Sequence, residues 1–181
     1  KFNDATNANI PAVFGNAVTL DSGDANGDGS PDIIIANKTS RDILLINDGS
    51  GIFSIDTNFN LPGVIDGSSD IQFADVDGDG NLDIVTTNNG IIGASSLRNR
   101  VYMNNGEGQF TDNTANLLPE DSEYSEVLDC GDIDRDGDID IIVANDSQNA
   151  VLINNGSGLF EDQTTDRIPT NDFESKDTKL G

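Results

Sequence analysis

The chain has 181 residues, enough to bury a core, and sets 33 acidic against 9 basic side chains with no histidine, a net charge of −24. Nothing in it can neutralise a run of phosphates, so nucleic acid is excluded as a partner, and no apolar run approaches the length of a membrane-spanning helix. The single cysteine, Cys130, permits no intrachain disulfide and reads as a small core residue.

Phe2, Phe53, Phe110 and Phe160 each open a similar segment, followed nine residues later by Pro11, Pro62, Pro119 and Pro169. Twelve residues further on stand Gly23, Ala74, Gly131 and Gly181. This spacing makes residues 1–181 one repeat array, with repeats near 1–52, 53–109 and 110–159 and a partial fourth at 160–181. In chain order, the first repeat brings a strand with Leu20 and Ser22 on one face, then an acidic loop at 24–32. A continuously apolar run, Ile33–Ala36, follows, and a second run ends in Asn47-Asp48-Gly49. The second repeat gives Ile71 and Phe73, a loop at 75–83, Ile84-Val85, and a run ending in Asn104-Asn105-Gly106. The third gives Leu128 and Cys130, a loop at 132–140, Ile141–Ala144, and a run ending in Asn154-Asn155-Gly156.

The Asp-Gly and Asn-Gly pairs predict hairpin turns, since both residue types tolerate positive φ. The strand after each loop, apolar throughout, predicts cover on both faces. The expected fold is all-β: tandem four-stranded antiparallel β-propeller-type blades, three full repeats plus a partial fourth, each with a calcium loop. Repeat two carries an insertion, Asn88–Asn99, with Ile91, Ile92, Leu97 and Arg98, which reads as a surface loop.

The calcium assignment rests on ligand chemistry. Calcium takes six to eight hard oxygen ligands, and Asp or Asn at positions 1, 3 and 5 of a tight turn, glycine at 6, a carbonyl at 7 and Asp at 9 supply them. The first loop offers Asp24, Asn26, Asp28, the Ser30 carbonyl and Asp32. The second offers Asp75, Asp77, Asp79, the Asn81 carbonyl and Asp83. The third offers Asp132, Asp134, Asp136, the Asp138 carbonyl and Asp140. Four carboxylates or amides within so few residues, at one register in three repeats, imply about three calcium ions. An EF-hand would need Glu at position 12, where Ile35, Thr86 and Val143 stand instead.

The segment Phe14-Gly15-Asn-Ala-Val18, with Gly23-Asp24-Ala-Asn26-Gly27-Asp28-Gly29 and Asp32–Ala36 after it, resembles the FG-GAP repeat of integrin α-subunit propellers. The whole chain is similar to the related VCBS-type repeats of bacterial extracellular proteins, including the strand ends Asn47–Phe53, Asn104–Phe110 and Asn154–Phe160. The resemblance implies a calcium-stabilised blade array in a secreted or cell-surface protein concerned with adhesion, surface architecture or carbohydrate binding. Repeats two and three lack the Phe-Gly pair, so no integrin ligand is inferred.

The expected function is a calcium-stabilised extracellular structural or adhesive module. The alternative is a lectin-like propeller fragment that binds glycans. No nucleophile–base constellation stands out, so no enzymatic activity is expected. Both ends carry the same segment, so the chain reads as a piece of a longer propeller, as a unit that assembles with other copies, or as a self-contained array. Sequons occur at Asn37, Asn145 and Asn155.

Overall fold

The computed structural model describes residues 9–12, 15–57, 61–90, 98–120, 124–170, 175 and 177–180. Three antiparallel sheets of four strands follow one another along the chain. Blade 1 holds β1 (Ala17–Gly23), β2 (Asp32–Asn37), β3 (Ile43–Asn47) and β4 (Phe53–Ile55). Blade 2 holds β5 (Ser68–Ala74), β6 (Asp83–Asn88), β7 (Arg100–Asn104) and β8 (Phe110–Asp112). Blade 3 holds β9 (Ser125–Gly131), β10 (Asp140–Asn145), β11 (Ala150–Asn154) and β12 (Phe160–Asp162). One-turn helices, α1 (Thr114–Leu117) and α2 (Thr164–Arg167), follow blades 2 and 3. Each blade is a meander in which sequential strands pair, the cheapest connectivity in loop entropy.

The phenylalanines at which the repeats are marked off close one sheet rather than open the next. Phe53 pairs with Asn47, Phe110 with Asn104 and Phe160 with Asn154. The structural unit thus runs one short strand beyond the sequence unit. Phe110 and Phe160 are buried and Phe53 is partly so.

The first strands of the blades, β1, β5 and β9, lie side by side, and the sheets pack face to face on them. Alternation in each first strand divides it between two neighbours. In blade 2, Ile71 faces blade 1 and joins a cluster with Ala25, Ile34, Leu44, Ile84 and Tyr102. Ala74, Val85 and Val101 join Leu128, Ile141 and Leu152 of blade 3. The second strands β2, β6 and β10 are almost wholly buried, as their continuous apolar runs predict. Polar side chains reinforce the stacking: Phe73 N donates to Asp21 Oδ2 at 2.8 Å, and Leu128 N donates to Asp70 Oδ2 at 3.0 Å. The same step continues past blade 3. Leu180 N donates to Asp129 Oδ2, Ser175 N donates to Asn145 O at 3.1 Å, and the Leu180 side chain lies over Gly131. Residues 175 and 177–180 of the partial fourth repeat therefore lie where a fourth first strand belongs.

The β3–β4, β7–β8 and β11–β12 connections are the expected hairpins, each with five residues between its strands. Asp48, Asn105 and Asn155 do not take positive φ; only the glycines do, among them Gly106 at +82° and Gly156 at +83°. The preceding asparagine supplies the bend through its side chain: Asn154 Oδ1 accepts Gly156 N and Gly158 N, each at 3.0 Å. Of the insertion in repeat two, residues 91–97 lie outside the described residues, as do Phe2 and Phe14.

Candidate metal-binding loops

Each acidic loop joins the first strand of a blade to the second, and the three share one hydrogen-bond plan. The position-1 carboxylate gathers backbone donors from the turn ahead of it. Asp24, Asp75 and Asp132 accept through Oδ1 from the N–H of Asp28, Asp79 and Asp136, all at 3.1 Å. Through Oδ2 they accept from Gly29, Gly80 and Gly137 at 2.8, 3.0 and 3.1 Å. The position-5 carboxylates of Asp28, Asp79 and Asp136 accept from Ser30, Asn81 and Asp138 N–H at 2.8, 2.8 and 3.0 Å. The chain is wound around its own carboxylates. The tight winding demands positive φ at position 4, met by Gly27 and Gly78 at +74° and, in the third loop, by Arg135 at +68°.

The position-9 aspartates do a second job. Asp32, Asp83 and Asp140 are fully buried and brace the loop from behind. Through Oδ2 they accept from Ala25, Val76 and Ile133 N–H at 3.0, 3.1 and 2.8 Å. Through Oδ1 they accept from Asn47, Asn104 and Asn154 N–H at 2.8, 2.8 and 2.9 Å, tying each loop to the third strand of its blade.

Carboxylate oxygens converge in two of the loops. One oxygen each of Asp75, Asp77 and Asp83 lies within 4.8 Å of the others, and so do oxygens of Asp132, Asp134 and Asp136. In the first loop the matching third position is Asn26, whose amide donates to Asp28 Oδ2 at 3.0 Å. The clustering is electrostatically costly as it stands. Burial, with Asp77 and Asp79 adding to it, pushes the Asp83 carboxyl up to about 7. Burial and the neighbouring Asp79 and Asp75 also raise Asp77, and burial raises Asp32. A hard divalent cation fits this donor set, which is all oxygen and mostly anionic.

The structure also brings in residues that were legible only as turn formers. Asn104 Nδ2 donates to Leu82 O within blade 2 at 2.9 Å and to Ala25 O in the loop of blade 1 at 2.8 Å. Asn154 Nδ2 donates to Ile139 O at 3.0 Å and to Val76 O in the loop of blade 2 at 2.6 Å. Asn47 Nδ2 donates to Pro31 O at 3.0 Å. The signal was present: an asparagine ends the third strand in every repeat, fourteen to twenty-one residues after the last loop aspartate. Position 7 sits beneath the same turn, so a methyl group on Gly106 would lie 2.7 Å from Asn81 Oδ1.

Two of the sequon asparagines are structural. Asn37 and Asn145 are buried and donate through Nδ2 to Arg41 O and Gln148 O, leaving no access for a glycan. Asn155 lies exposed in the β11–β12 turn. Cys130 packs against the blade 2–blade 3 core, and burial raises its thiol pKa.

Three stacked four-stranded meanders, each with an acidic loop between its first two strands, define propeller-like blades. The chain belongs to the FG-GAP-like repeat family, whose model matches residues 24–86, 91–143 and 132–176. Among solved structures it is similar to an Agrocybe aegerita lectin described for its specific recognition of non-reducing terminal N-acetylglucosamine. The two are 25% identical with a TM-score of 0.52, and the match covers 86% of this chain but 39% of the lectin chain. No curated protein matches the chain. No helix among the described residues is long and apolar enough to cross a membrane.

Proposed function

We propose that this chain is a calcium-stabilised structural or adhesive module of an extracellular or cell-surface protein, working through its surfaces rather than as an enzyme. The observation that carries the reading is the convergence of Asp75, Asp77 and Asp83, repeated by Asp132, Asp134 and Asp136, in loops of one hydrogen-bond plan. Calcium would be held by the side chains at positions 1, 3, 5 and 9 and the carbonyl at position 7, about three ions in all, and would supply charge neutralisation to the fold. The remaining acidity suits calcium-rich, saline surroundings.

Leu20 supports continuation of the array. It is 61% exposed, whereas its counterparts Ile71 and Leu128 are 1% exposed because a preceding blade covers them. A further blade, from the same protein or from another copy, would cover Leu20 in the same way.

Calorimetric titration tests the metal reading. Calcium should bind at about three sites and magnesium far more weakly, and Asp75→Ala/Asp77→Ala/Asp79→Ala should remove one site. A chain that takes up no calcium sinks the proposal. The lectin similarity favours a second reading, glycan binding, which selective capture on a glycan array would establish.

A further inference from the structure

Blade 2 has a filled socket that blade 3 leaves open. Arg100 opens β7, and its guanidinium pairs with Asp66, in the connector ahead of blade 2, and with Asp112 Oδ2 at 2.9 Å, at the end of β8. The matched residues of blade 3 are Ala150, which opens β11, and Asp162, which ends β12. Blade 1 has an apolar pair there, Ile43 and Ile55. Blade 3 alone keeps the carboxylate without the cation.

The two carboxylates are held alike. Asp162 Oδ1 accepts Thr164 N–H at 2.9 Å, as Asp112 Oδ1 accepts Thr114 N–H at 3.1 Å. Where Arg100 would lie, blade 3 has a cavity of about 330 Å³ between Leu118–Glu120 and the sheet, with Ala150 and Asp162 in its wall. Asn145 also lines it, is 4% exposed, and has an Oδ1 with no hydrogen-bond partner. Asn37 and Asn88 share that unpartnered oxygen, but neither lines the smaller cavities of blades 1 and 2.

We propose that this cavity binds the guanidinium of an arginine side chain presented by a partner protein, with Asp162 as its counter-ion in the way Asp112 serves Arg100. Leu118, Pro119 and Ala150 offer apolar surface to the methylene stem, and the Asp162 carboxylate accepts the planar, paired donors of the guanidinium, while the Asn145 carbonyl oxygen stands elsewhere in the same wall. The net charge of −24 draws such a partner in. The inference is independent of the metal loops.

The test is an NMR titration of the calcium-loaded chain with Nα-acetyl-arginine amide, following the amides of Ala150, Thr164 and Thr165. Saturable shifts are expected, at least tenfold weaker in Asp162→Asn, which keeps the acceptor for Thr164. They should also be at least tenfold weaker in Ala150→Arg, which supplies the missing side chain from within. No saturable shift, or equal binding in wild type and Asp162→Asn, overturns the proposal. So does N-acetylglucosamine saturating the same amides more tightly than the arginine probe.

Discussion

Asp42 sits where blade 1 meets the connector into blade 2, accepting Asn37 N–H at 2.8 Å and the Ser68 hydroxyl at 2.9 Å. Burial pushes its carboxyl up to about 6, with the nearby Asp66 charge adding to the shift. The folded state therefore holds this proton more tightly than the unfolded chain does. Stability from the group is full below about pH 4 and is lost as pH rises to about 6. Asp42→Asn keeps both hydrogen bonds without the charge. It should melt above wild type at pH 7.5 and level with it near pH 4 in calcium buffer, and a difference independent of pH would refute the assignment. Arg135 offers a second case, because it holds a left-handed conformation that the other two loops give to glycine. Arg135→Gly should stabilise the chain by about 1 kcal/mol in urea unfolding. The sequence already displayed that substitution, since Gly27 and Gly78 stand at the same register. It could not display the ionisation of Asp42, which depends on how two blades close over it.

At the scale of the element, the third-strand asparagine is the joint between blades. Asn154→Ala removes donors to both Ile139 O and Val76 O, whereas Asn47→Ala removes one to Pro31 O. Losing hydrogen bonds from buried carbonyls costs about 1–3 kcal/mol, so Asn154→Ala should lower the urea midpoint clearly more than Asn47→Ala. Equal effects would mean that the contact between blades contributes nothing. The strands themselves were legible, because alternation and apolar runs are local signals that burial then obeys. The acidic loops were legible for the same reason: their donors and acceptors lie within nine residues of one another. The hairpins were legible but their turn conformation was not, because an Asn-Gly pair fits several turns and the one adopted is set by glycines at the second and fourth of five connecting residues. The asparagine joint escaped notice because its partner, Val76 O, is a backbone atom 78 residues away.

For the whole molecule, charge sets what a cation bound in the loops would do. With −24 charges on 181 residues, self-repulsion works against compaction, and the acidic loops concentrate it beside the cores. Removing calcium with EGTA should lower the melting temperature steeply, and added sodium chloride should restore part of the loss by screening. A melting curve unchanged by EGTA would leave the loops without a stabilising role. The third loop should empty first. Asp132 and Asp134 are exposed where their counterparts Asp75 and Asp77 lie partly covered, while Asp83 and Asp140 are buried alike. Loop chemistry was readable residue by residue, but this ranking was not, because it depends on the neighbouring blade.

The asparagine joint also bears on how such chains grow. Blade 2 uses both halves of the fastening, an amide that reaches back to Ala25 O and a loop carbonyl, Val76 O, that receives the next amide, and blades 1 and 3 each use one half. A duplicated repeat can therefore be spliced in at either side without any compensating change in its neighbours. Array length is free to drift in evolution while the pairing rule between adjacent units stays fixed.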